Sequence, residues 1–243
     1  DALSEKINSV KSETITPIMF QHNLLVKAKK AQTHIVLPES EDERILKAAS
    51  RLAKDKICYL TLLGKAEEVK QRIKDLGLYW DDERIKIVDP MTSNKYEDYY
   101  TTLYELRKSK GMEITSAADL MTDPSYYGTM MVYKGDADGM VSGAAHTTAH
   151  TIKPALQFVK TRKGFNTVSS VFFMLLPDRV VLYGDCAIVP NPTAEQLAEI
   201  AIGGDIIVLA TPEIGGLPYV VSGMVAAGGL AAALSELSGA ASD

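Results

Sequence analysis

The residues best placed to do chemistry lie in one stretch, Gly135-Asp-Ala-Asp-Gly-Met-Val-Ser-Gly-Ala-Ala-His-Thr-Thr148, which runs on through His150-Thr-Ile-Lys-Pro-Ala-Leu-Gln157. A short apolar pair, Met140 and Val141, is followed by small and hydroxyl-bearing residues, then by Lys153 and Pro154 inside a helical pattern. This order describes a strand end, a loop free of bulky side chains and a helix N-terminus. Backbone N–H groups in such a loop, that of Gly143 among them, can approach an anion closely, and the helix dipole favours negative charge there. Ser142, Thr147 and Thr148 add hydroxyl donors. An oxyanion or a phosphoryl group is the natural guest. The same small-residue pattern also serves close packing with no ligand at all.

Other polar residues have plainer readings. His146 and His150 are four apart, a spacing that can place two imidazoles on one helix face for a metal. No third ligand of suitable spacing lies nearby, so the expectation is a polar pair at a helix start and no metal site. Asp136 and Asp138 have the look of paired catalytic carboxylates, but they are expected to cap or turn the chain ahead of the strand. Arg107, with Lys108 and Lys110, sits at the charged end of a helix, where cations also complement the dipole. No GxGxxG follows a strand and no P-loop Gly-Lys-Ser/Thr occurs, which argues against a nicotinamide oxidoreductase.

The elements that must position these groups follow from periodicity. His34–Leu37 reads as a buried strand stopped by Pro38, and Ser40-Glu-Asp-Glu43 spells a capping box for the helix behind it. A strand over Ile57–Leu63, a helix over Lys65–Leu76 and a strand over Ile85–Val88 come next. Helices are expected over Tyr96–Lys108, Ser116–Met121, Pro124–Tyr133 and Thr151–Lys160. Val168–Leu176 and Arg179–Tyr183 form an expected hairpin, and Thr193-Ala-Glu-Gln196 is a second capping box, starting a helix over Ala194–Ile202. Strands alternating with amphipathic helices predict an α/β fold with a mostly parallel, twisted sheet flanked by helices.

Bulk composition narrows the class. A chain of 243 residues can bury a sizeable core as one large domain or two modest ones. A net charge of −5 argues against a general nucleic-acid binder while leaving anionic small substrates open. The two cysteines, Cys58 and Cys186, lack CxxC or zinc-like spacing and fit a reducing cytoplasm. Residues 1–15 are polar and of mixed charge, read as a linker or short surface helix. The absence of an initiating Met is read as a sign of a fragment or a processed chain.

From about Thr16 to Ile202 the chain resembles the catalytic region of phosphate acetyltransferases, in the phosphate acetyl/butyryl transferase family. The resemblance rests on His34-Ile-Val-Leu-Pro-Glu39, Ile85-Lys-Ile-Val-Asp-Pro90, Tyr104-Glu-Leu-Arg-Lys-Ser-Lys-Gly111 and the 135–157 stretch. It continues through Ser169-Ser-Val-Phe-Phe-Met-Leu-Leu-Pro177, Tyr183-Gly-Asp-Cys-Ala-Ile188 and Asn191-Pro-Thr-Ala-Glu-Gln-Leu-Ala-Glu-Ile-Ala-Ile202. It implies an isocitrate-dehydrogenase-like, two-domain architecture: a first α/β domain over 16–150, and a second beginning at 151–202 and cut short. It also implies acyl transfer between acetyl phosphate and coenzyme A, with inorganic phosphate released, by a homodimer with its site in the cleft between domains. Coenzyme A enters as a substrate, and no bound cofactor is expected. Phosphate butyryltransferase activity and a non-catalytic fragment or chimera are the alternatives.

On the same resemblance Arg107 matches a substrate-binding arginine, and its planar fork suits a phosphate. Lys153 stands where the family pattern has Arg before the proline; it keeps the charge and loses the bidentate geometry. The family's Ser-Arg-Gly segment and the base aspartate after it, which serve the oxyanion and the thiol, have no counterpart in this sequence. Impaired or absent activity is therefore expected. After Ile202 the composition changes to a Gly/Ala-rich apolar tail over 203–243, with an uncharged run Ile214–Ser235 long enough to span a bilayer. Residues 205–235 weakly resemble a segment of a cation–acetate (sodium/solute) symporter, so a junction near Gly203-Gly204 is the preferred reading. Membrane association is expected only through that tail.

Overall fold

Short runs of Val, Ile and Leu, each closed by Gly, Pro or an acidic residue, alternate with amphipathic stretches, and in the computed structural model they become parallel strands joined by helices. The structure describes residues 16–161, 165–184, 188–189, 191–202 and 205–208. After a leading helix α1 (Pro17–Ala31) come β1 (His34–Leu37), α2 (Glu43–Lys54), β2 (Tyr59–Leu63), α3 (Ala66–Asp75) and β3 (Ile85–Val88). Three helices, α4 (Tyr96–Arg107), α5 (Ile114–Met121) and α6 (Pro124–Lys134), lead into the short β4 (Gly139–Met140). Then follow α7 (Thr148–Pro154), a π-helical turn (Ala155–Val159), β5 (Val168–Leu175), β6 (Val180–Gly184), α8 (Ala194–Ile202) and β7 (Asp205–Val208).

Two sheets result. The first has the order β3-β2-β1-β4 with every pair parallel. Val36 pairs with Thr61 on one side and with Met140 on the other. The second has the order β6-β5-β7: β5 and β6 form the expected antiparallel hairpin, and β7 runs parallel to β5. In the first sheet the chain steps outward from β1 to β3 on one side, then returns to lay β4 on the other. The strand order thus reverses between β1 and β4, the place where open α/β sheets usually receive ligands.

Alternation along the strands divides the core between the two faces of that sheet. Leu37, Leu60 and Leu62 pack with Leu46 and Ala49 of α2 and with Val69 and Ile73 of α3. Val36 and Leu63 face the other way, against Tyr99 and Leu103 of α4, Met121 of α5 and Tyr127 and Met130 of α6. Gly128 lets α6 lie close to the sheet, because a Cβ there would sit 2.8 Å from Met140 Sδ and 3.2 Å from Val36 Cγ1.

Several element ends differ from expectation for identifiable reasons. The capping box at Ser40–Glu43 does not form. Asp42 caps α2 instead, accepting from Arg44 N at 2.8 Å, while Ser40 Oγ donates to the Leu63 carbonyl at 2.5 Å. Burial of the Glu39–Ser40 corner delays the helix start by two residues. At Thr193–Gln196 the box does form, reciprocally: Gln196 N donates to Thr193 Oγ1 at 3.2 Å and Thr193 N to Gln196 Oε1 at 2.9 Å. The strand expected from Ile57 begins at Tyr59, because Ile57 N still closes the helix before it by donating to Leu52 O. The helix expected over Thr151–Lys160 starts at Thr148, capped by Thr147, and yields to the π turn after Pro154, which has no N–H to donate.

Helix α1 has no counterpart in the periodicity analysis. Thr16 caps it and Pro17 opens it, but none of its residues is buried and Ile18 is 80% exposed. Phe20 ties it to β5, its ring 5.3 Å from that of Phe173. Among the described residues no helix is long and apolar enough to cross a membrane. Residues 1–15 and the run Ile214–Ser235 lie outside the described residues, whereas residues 205–208, the start of the symporter-like segment, form β7.

Candidate functional site

The small-residue loop after β4 does collect an anion, and the chain itself supplies it. Glu39, one residue beyond Pro38 at the end of β1, is wholly buried. Its Oε2 accepts from the N–H groups of Gly143 and Ala144, both at 2.8 Å, and its Oε1 from those of Ala145 at 2.9 Å and His146 at 2.7 Å. Burial opposes the charge, but the four backbone donors together outweigh it and hold the carboxyl below the ordinary glutamate range. Arg44 grips the loop from its other polarity, Nη2 donating to Ala144 O at 2.5 Å. The hydroxyls expected at this site also turn inward or to local structure. Ser142 Oγ is buried 3.3 Å from Thr151 Oγ1, and Thr147 Oγ1 accepts from His150 N as the α7 cap. Thr148 remains exposed at the first turn of α7.

The two cations expected to bind substrate are positioned by other elements. Arg107 ends α4, where a short 3-10 turn and then Gly111, at φ 83°, stop the helix. Its Nη1 donates to the Gln157 carbonyl at 3.3 Å, while its buried Nε has no hydrogen-bond partner among the described residues. Tyr126 on α6 donates its hydroxyl to Gln157 Oε1 at 3.1 Å, so Gln157 is held from two helices. Lys153, exposed in the last turn of α7, precedes Gln157 by one helical turn. The π turn that contains Gln157 is capped by Lys160, whose φ of 62° with ψ of −177° is a conformation rarely adopted outside glycine. π turns and such backbone outliers gather at functional sites. An arginine with an unfilled donor is of the chemical type that binds an oxyanion.

The other polar residues singled out by the sequence are engaged locally, although His146 Nδ1 is buried without a hydrogen-bond partner among the described residues. His146 stacks on His150 at 4.7 Å between centroids, but only His150 belongs to α7, and its Nε2 lies 3.0 Å from Asp123 Oδ2. Among the described residues no three His, Cys, Asp or Glu side chains form a metal-holding group. Asp138 accepts from His34 N at 2.7 Å, and Asp136 accepts from the Tyr99 hydroxyl, so both carboxylates fasten the approach to β4. Cys58 is buried and its thiol is pushed up to about 11 by desolvation; Cys186 lies outside the described residues. Glu39, Arg44, Tyr126 and Gln157 were not singled out by motif. Only the position of Glu39, directly after a Pro-stopped buried strand, carries a signal, since polar residues at the C-terminal ends of parallel strands face the ligand crevice.

A parallel sheet flanked by helices, with a carboxylate-seated loop at its strand-order reversal, defines an α/β protein. The chain belongs to the phosphate acetyl/butaryl transferase family, which matches residues 19–205. It is 54% identical over 200 residues to the phosphate acetyltransferase of Nitratidesulfovibrio vulgaris, covering 82% of this chain and 28% of that protein. It is 50% identical over 184 residues to the phosphate acetyltransferase of Corynebacterium glutamicum, covering 76% and 55%. The phosphotransacetylase EutD from Staphylococcus aureus superposes with a TM-score of 0.67 at 39% identity, covering 75% of this chain and 56% of that one. The chain thus spans between about a quarter and three-fifths of the length of such curated relatives.

Proposed function

We propose that this chain takes part in acyl transfer between acetyl phosphate and coenzyme A, and that it supplies the wall of the site that holds the phosphoryl group. The observation that carries this reading is the buried, unpartnered Nε of Arg107, docked through Nη1 on Gln157 one turn beyond Lys153, in a chain of this family. In this reaction the thiol sulfur of coenzyme A attacks the acyl carbon, the C–O bond to phosphate breaks, and inorganic phosphate leaves with its charge increased. Arg107 and Lys153 bind the phosphoryl oxygens and stabilise that growing charge. Thr148 is a further donor at the start of α7. Coenzyme A is a substrate in this scheme, and no resident cofactor is assigned.

The same reading divides the chain into a first α/β domain over 16–150 and the beginning of a second over 151–202, with substrate between them. A cytoplasmic homodimer fits the reading; exposed apolar side chains on α1 and on β6, where Leu182 and Tyr183 are more than half exposed, support self-association. The test is coenzyme A-dependent loss of acetyl phosphate, compared with butyryl phosphate, alongside calorimetric binding of inorganic phosphate by the purified chain. Phosphate binding lost in Arg107→Ala supports the assignment; binding unaffected by that change removes it.

A further inference from the structure

We propose that Glu39 is a positioning residue, an internal anion that seats the 143–146 loop and thereby sets the place of α7 and Lys153 on the phosphate-facing wall. The inference rests on the reading above for what the wall binds. Its geometry is independent of it. Four consecutive N–H groups converge on one carboxylate, two to each oxygen, and Arg44 holds the intervening carbonyl of Ala144. Charge-assisted bonds of this kind are short and directional, and a buried carboxylate stripped of water is tolerated only when its acceptor sites are filled in this way.

Position is passed on from the loop through covalent and hydrogen-bonded steps. His146, the last donor, is followed by Thr147, which caps α7 and whose carbonyl accepts from Thr151 Oγ1 at 3.2 Å. Thr151 Oγ1 also meets Ser142 Oγ, closing the loop on itself. Lys153 stands two residues beyond Thr151, and one further turn brings Gln157, which receives Arg107 and Tyr126. Glu39 is unsuited to be the base: it is fully buried, and both its oxygens are engaged twice over. Its carboxylate occupies the crevice at the strand-order reversal that a ligand would otherwise enter, which leaves the Arg107 side as the place for substrate.

The test uses the full chain, the variants Glu39→Ala and Glu39→Gln, and formate and inorganic phosphate as probes. Glu39→Ala should lower Tm by roughly 10 °C, and formate at tens of millimolar should recover a large part of that loss while leaving the parent chain unmoved. Phosphate affinity should fall about tenfold in Glu39→Ala and return with formate, because the loop is re-seated. A parallel Glu39→Ala/Arg107→Ala chain identifies any phosphate that enters the vacated loop. Glu39→Gln keeps the volume but turns an amide donor toward the N–H groups, so its phosphate affinity should fall without formate rescue; should Glu39→Ala not fold, this variant decides. Phosphate affinity equal to the parent's in a folded Glu39 variant overturns the proposal, as does formate acting alike on parent and Glu39→Ala. A parent chain that binds no phosphate would instead overturn the functional reading, while formate-dependent Tm in Glu39→Ala still judges the loop.

Discussion

The loop after β4 and the end of α4 are both built to meet negative charge, yet they stand in opposite states. At the loop, four N–H donors and one carboxylate satisfy one another completely. At the end of α4, a buried guanidinium nitrogen has no partner among the described residues, and Lys153 faces solvent. The first is a finished structural joint, and the second keeps a donor unfilled. Donor-rich geometry therefore does not identify a ligand site until its occupant is known.

Five tests would break or sharpen that contrast. The largest expected effect is on the joint: Glu39→Ala removes the shared acceptor of four part-buried N–H groups and should cost about 3–5 kcal/mol in urea unfolding. If the loss is under 1 kcal/mol, the joint is not what holds the loop. Next, Arg107→Ala should weaken phosphate binding about 10- to 100-fold by calorimetry, with a smaller stability cost, since its Nη1 gives up one bond and its Nε none.

A control away from both anion sites follows: Gly128→Val must push Met140 and Val36 aside and should destabilise by about 1–3 kcal/mol without changing the phosphate affinity of the folded fraction. The pH dependence comes from Glu39. Its carboxyl titrates below its ordinary range when folded, so its stabilisation is present above the unfolded value and is lost as pH falls below about 4 through the folded one. The groups facing it are the His146 imidazole, with Nδ1 at 3.2 Å, and Arg44 through the loop carbonyl. Urea midpoints measured against pH should flatten in Glu39→Gln. The smallest effect is expected from Lys153→Arg, which restores bidentate geometry and should tighten phosphate by only a few-fold; a loss of affinity would mean that the ammonium, rather than the fork, suits this wall.

Much of the fold was legible in advance. His34–Leu37 and Ile85–Val88 emerge as strands with the expected bounds, because a short buried strand needs only an apolar run and a stop. The hairpin of β5 and β6 and the capping box at Thr193 were legible for the same local reason. Helix α1 was not, since its apolar residues lie on no single buried stripe. Nor was the failure of the box at Ser40, whose hydroxyl is drawn away by Leu63, a residue on the next strand. At the site, the 135–157 stretch pointed to an anion but not to Glu39 as its source, and Arg107 and Lys153 were named from the family resemblance alone. Gln157 and Tyr126 carried no signal, because their roles arise from helices brought together from distant parts of the chain.

The sequence by itself determined which segments are strands and helices, that a small-residue loop would present bare N–H groups after β4, and where the cations lie along the chain. These are properties of neighbouring residues and their backbone preferences. Only the tertiary structure decided that Glu39, about a hundred residues away, is the anion those N–H groups hold. It likewise decided that Arg107 is left with an unfilled donor. Parallel pairing of β1 with β4 makes that choice, by placing the end of one strand beside the loop leaving the other.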